Sequence, residues 1–181
     1  SMGSSLGHYF RALNGQHMGG IDAIGGSVFP GGEDRVEGGG YYGNGDFYHF
    51  VLGKLASSHA HIDPRKQGRA MCELFGAYGW GFGVRDMKYL ADHFMVRGIN
   101  RLVPHAFSPK AFPDPDCPPH FYAHGENPEY RHFATLMAYA QRVCHLIDGG
   151  RHSAPVAMLY EAEAYWAGKN EWGQSACRAL L

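Results

Sequence analysis

Apolar positions recur at helical spacing in three stretches and run almost unbroken in four shorter ones. Over 47–60, Phe47, Phe50, Val51 and Leu55 fall on one side of a helix that Asp46 can cap. Over 85–97, Met87, Leu90, Ala91 and Phe94 share a face, and Gly98 supplies the stop. A longer helix is predicted from Asn127 as cap, with Pro128 in its first position. Tyr130, Phe133, Met137, Ala140, Cys144 and Ile147 line one side of it, and Gly149-Gly150 ends it. The unbroken runs are MGGIDAIGGSVF (18–29), RAMCEL (69–74), INRLVPHAF (99–107) and APVAMLYE (154–161), each read as a strand. Strands without alternation that take turns with helices predict an α/β fold: a parallel sheet with right-handed crossovers.

Composition refines this picture at the amino-terminal end. Fourteen of the 26 glycines lie within residues 1–45, and PGGEDRVEGGGYYGNGD (30–46) reads as a loop. Residues 1–16, opening on Ser1-Met2, read as a tag remnant and lead-in without a signal-peptide core. With 45% hydrophobic and 14% aromatic residues the rest can bury a core. Sixteen basic against 17 acidic residues leave no basic stripe, so no nucleic-acid partner is expected. No apolar run approaches the roughly 20 residues that cross a bilayer, so no membrane partner is expected either. Cys72, Cys117, Cys144 and Cys177 form no C-x-x-C pair and read as reduced structural thiols.

The chemistry-bearing residues fall at strand ends, where parallel α/β folds collect their functional groups. Asp22 lies in the first run, Glu73 near the end of the second, His105 in the third and Glu161 at the end of the fourth. After Glu73 comes a turn of glycines and aromatics in which Tyr78 and Trp80 can stack on an apolar ligand face. Each residue also has an ordinary structural reading: a solvated or paired glutamate, a hydrogen-bonded core histidine, a turn-capping aspartate. HAHID (59–63) holds two imidazoles and a carboxylate, but a helix would turn His59 and His61 apart. No third ligand is fixed by spacing, and GWGFG (79–83) lacks the Lys-Ser/Thr of a phosphate loop. Neither metal nor cofactor is expected.

CELFGAYGW, followed by DMKYLADHFMVRGINRLVPHAFS, resembles the later half of the catalytic (β/α)8 barrel of large bacterial glycoside hydrolases, the rhamnosidase-like and family-two-like enzymes. YAQRVCHLIDGGRHSAPVAMLYEAEAYW resembles the helix that leaves such a barrel and the opening of a following flavodoxin-like domain. The resemblance implies a partial, TIM-type barrel over 17–153 and the last strand or the start of that next domain over 154–181. A whole barrel takes about 250 residues, so the chain reads as a fragment, expected to form a homodimer. The implied activity is cleavage of a carbohydrate substrate by carboxylate acid/base catalysis. Glu73 is then the general acid or nucleophile, raised in pKa by burial beside Phe75, Tyr78 and Trp80, and Asp22 is its partner. His105, Trp80, Tyr78, Phe107, His120 and Tyr122 would bind sugar, the last two from the loop 112–124. A non-catalytic carbohydrate-binding or structural module, or a metal-dependent sugar enzyme, are the alternatives.

Overall fold

The computed structural model describes residues 19–23, 45–76, 78–116, 118–121 and 125–159, with side chains from residue 53 onward. The element order is β1 (Gly19–Ala23), α1 (Gly45–Ile62), a 3-10 turn (Pro64–Lys66), β2 (Ala70–Leu74), α2 (Val84–Met95), β3 (Arg101–Pro104) and α3 (Tyr130–Leu146). The three strands form one parallel sheet in the order β1-β2-β3. The α/β class with parallel strands therefore holds.

Burial is one-sided. Along β2, Ala70, Cys72 and Leu74 are buried, while Met71 and Glu73 are half-buried. The strand alternates, where the apolar run predicts burial on both faces. Ala56 and Ala60 from α1, Leu90, Ala91 and Phe94 from α2, and Phe133 and Leu136 from α3 join Cys72 and Leu74 in one cluster. Among the described residues, Met71, Glu73 and Val103 stay outside that cluster, so the helices share one face of the sheet.

Local chemistry sets the joints. Asn100 is buried between the starts of β2 and β3, where its Oδ1 accepts from the Ala70 amide and its Nδ2 donates to the Gly68 carbonyl, both at 3.0 Å. Gly98, after α2, adopts φ +94°, and a Cβ there would lie 2.9 Å from the Ser57 Cβ. The amide of Val84, at the start of α2, donates to Glu129 Oε2 at 2.6 Å, so the loop before α3 caps α2. Lys88 and Asp92 pair on α2, and the Tyr139 hydroxyl of α3 donates to Asp92 at 2.7 Å. Arg101 of β3 pairs with Asp148 after α3 at 2.7 Å.

Four expectations need correction. Strand 99–107 shrinks to Arg101–Pro104. The His105 amide still donates to Leu74 at 2.8 Å, but the Ala106 carbonyl accepts from Phe121 at 2.9 Å, so a returning loop takes up the chain. Residues 154–159 form no strand, and Val156, Met158 and Leu159 stand exposed with no described strand beside them. The long helix begins at Tyr130 because Asn127 Oδ1 accepts from the Glu129 amide at 2.7 Å, closing a side-chain turn before the helix can start. Its face is also rotated: Leu136 is buried, while Tyr130 and Ile147 are exposed. The His105–Ala106, Phe112–Pro113 and Pro118–Pro119 peptides are cis.

Candidate functional site

The carboxyl ends of β2 and β3 carry the site. Asp22, Glu73 and Val103 are register partners across the three strands, so they share one row of the sheet. Neighbouring strands lie about 4.8 Å apart, which places the backbone of Asp22 and of Glu73 one strand spacing from each other. The side chain at 22 lies outside the described set. Glu73 belongs with Met71 on the half-buried, helix-free row. His105 directly follows β3 and sits at the same end of the sheet.

The turn after β2 is shaped by packing. Phe75 adopts φ +84°, an uncommon conformation for a residue with a side chain. It is held there because its ring is fully buried, 5.9 Å from Phe121 and 6.1 Å from Phe82. Next comes Gly76, where a Cβ would fall 2.8 Å from His105 Cγ, so only glycine lets the imidazole lie against this turn. Tyr78 stacks on Phe82 at 4.5 Å and packs against the core. Burial, helped by the Cys72 thiol, pushes its phenol well above the ordinary value. The Gly79 amide donates to the Pro118 carbonyl at 2.9 Å and ties this turn to the proline-rich loop. Trp80, 40% exposed, meets Phe112 edge-on at 5.3 Å and His120 at 6.0 Å.

The proline-rich loop brings a buried polar cluster. His120 Nε2 lies 2.6 Å from the Asp116 carbonyl and 3.7 Å from Asp114 Oδ2. Asp114 accepts from the Ser108 hydroxyl, from the Asp116 amide at 3.1 Å and from Lys110 at 3.4 Å. The Ser108 hydroxyl first, then these donors, hold its carboxyl at a pKa of about 2. The His105 and His120 rings are 6.1 Å apart, and Nδ1 of each is buried without a hydrogen-bond partner.

The structure thus brings Glu73, His105, His120 and Trp80 to one end of the sheet and sends two expected residues elsewhere. Tyr78 turns into the core, because stacking on Phe82 buries a ring that solvent would otherwise meet. Phe107 is 57% exposed and leans on Phe121 and Phe133 at 5.8 and 6.0 Å, over the start of α3. The expected burial of Glu73 beside Phe75 and Tyr78 is not met, since both of those rings belong to the core cluster and Glu73 does not. Tyr122, Cys117 and Glu161 lie outside the described residues. HAHID lies at the end of α1, with His59 buried and His61 stacked on His152 at 4.4 Å. Among the described residues no three His, Cys, Asp or Glu are placed to hold a metal ion. Also among them, no helix is long and apolar enough to cross a membrane.

Sequence reasoning missed Asp114 and Ser108. Their only signal is the Asp-Pro-Asp turn, which has no period to read. A separate groove of about 790 Å³ runs between β3 and α3, lined by Met71, Leu102, Val103, Met137, Ala140 and Cys144 among others, and holds none of the predicted site residues. Chemically, the strand ends offer a half-open carboxylate, a second acidic position in register, two imidazoles and an exposed indole. Comparison with family models, with curated proteins and with solved structures gave no match to this chain.

Proposed function

We propose that this chain is part of the wall of a glycoside-hydrolase (β/α)8-type barrel, with Glu73 as general acid or nucleophile and Asp22 as its partner. The observation that carries the reading is the pairing of Asp22 with Glu73 at the carboxyl end of adjacent parallel strands. Both positions fall on the row that the described helices leave uncovered. In a closed barrel the helix-free face of each strand is the interior, and catalytic groups sit at its carboxyl mouth. Retaining glycosidases place their two carboxyl groups about 5–5.5 Å apart, close to one strand spacing. One carboxylate attacks the anomeric carbon, the other protonates the departing oxygen, and water then releases the sugar. The exposed Trp80 ring offers a surface for a sugar's C–H face, and His105 a group for its hydroxyls.

The test is turnover of p-nitrophenyl rhamnoside, galactoside and glucoside by the enzyme that contains this barrel wall, beside its Glu73→Gln and Asp22→Asn variants. Turnover that both variants lose supports the reading. Turnover untouched in both ends it. A non-catalytic sugar-binding module draws support from the exposed Trp80–Phe112 pair. Sugar binding without turnover in the unaltered protein selects that second reading.

A further inference from the structure

His120 is buried, and the geometry fixes its tautomer. The Asp116 carbonyl can only accept a hydrogen bond, so the Nε2 that lies 2.6 Å from it carries the proton. The Asp114 carboxylate, 3.7 Å from the same nitrogen, favours that arrangement. In the neutral ring Nδ1 then holds a lone pair, and this atom is buried without a partner. His105 is held against the turn after β2, because its Nδ1 lies 2.9 Å from where a Cβ on Gly76 would stand. That Nδ1 is also buried and unpartnered. Buried polar atoms without partners are uncommon, and two on facing rings call for a shared ligand atom.

The chemistry of that atom can be narrowed. A hydroxyl gives one proton and also accepts, so it can donate to His120 Nδ1 and accept from a proton on His105 Nδ1. Its oxygen would lie about 2.8 Å from each nitrogen, which a 6.1 Å separation of ring centres accommodates. An anion would need donors on both rings, and the ionised Asp114 opposes it. A metal ion would need a third ligand, which the described residues do not supply.

We propose that His105 and His120 form a subsite that reads one hydroxyl of a neutral sugar whose C–H face rests on Trp80. The proposal rests on the carbohydrate reading of this site and adds where the ring docks and which groups select it. Trp80 lies 6.0 Å from His120, so stacking and hydroxyl recognition fall within one sugar ring.

The test uses imidazole nitrogen NMR and tryptophan fluorescence on the chain, titrated with methyl glycosides of rhamnose, galactose and glucose. In the free protein His120 should show protonated Nε2 and bare Nδ1. A glycoside that quenches tryptophan fluorescence should also move the His120 Nδ1 resonance. His120→Gln keeps a donor for the Asp116 carbonyl and lacks the second acceptor. It should bind that glycoside about tenfold more weakly, as expected for one lost hydrogen bond. Quenching with an unmoved Nδ1 resonance overturns the subsite and leaves the carbohydrate reading standing. The opposite tautomer in the free protein overturns it as well. No response to any glycoside removes the carbohydrate reading and the subsite together. Zinc chloride that shifts both rings at micromolar concentration replaces the hydroxyl with a metal ion.

Discussion

Asp114 is a buried carboxylate kept ionised by a hydroxyl, an amide and a lysine. Its folded pKa of about 2 lies below the model value of 3.8. The contribution to stability is therefore complete above the unfolded value and lost as pH falls through about 2. Thermal unfolding of the protein and of Asp114→Asn between pH 6 and pH 2 should show a gap that is widest at the upper end and closes toward the lower. A gap independent of pH would contradict this assignment. Gly76 permits a different prediction. Gly76→Ala places a methyl 2.8 Å from His105 Cγ, so the imidazole must move. Overpacking of this kind costs about 1–3 kcal/mol, and the His105 ring resonances should shift while those of His61 stay put. Glu73 was legible in the sequence because it ends an apolar run. Asp114 was not, because its burial depends on Ser108 and His120 meeting across a loop without periodicity.

At the level of elements, residues with a strong period were placed well. Met87, Leu90, Ala91 and Phe94 are all buried on α2, which spans Val84–Met95 against the expected 85–97. Weakly patterned ends moved more, since they answer to side-chain turns and crossing loops. Asn127 delays α3, and the loop returning to Phe121 takes Ala106 from β3. APVAMLYE reads as a strand by composition alone, but a strand also needs a neighbour to bond to. The Asn100 clip was invisible in the sequence, because it joins Gly68 and Ala70 to a residue 30 or more positions away. Asn100→Ala leaves a buried amide and a carbonyl without partners, each worth about 1–3 kcal/mol. Urea unfolding should register a loss of about 2–4 kcal/mol, and a loss below about 0.5 kcal/mol would show the clip to be idle.

For the molecule as a whole, the described helices leave one face of the sheet uncovered. Val103 on that face and Val156 and Leu159 beyond α3 are exposed. Parallel sheets are ordinarily covered on both faces, and open edges invite pairing. Sedimentation of the 181-residue chain at micromolar concentration should therefore show a concentration-dependent dimer, and a monomer at every concentration would contradict this expectation. The parallel order of strands was legible from the alternation of apolar runs and helical periods. The one-sided burial was not, since β2 mixes buried and half-buried residues within an apolar run. The central claim is that Glu73, at the carboxyl end of β2, takes part directly in bond cleavage. Its most direct test is the turnover number and KM of Glu73→Gln for an aryl glycoside that the unaltered enzyme cleaves. A fall in turnover of at least about 100-fold with KM nearly kept is the predicted result, because the amide preserves shape and removes the transferable proton. Turnover equal to that of the unaltered enzyme would contradict the account.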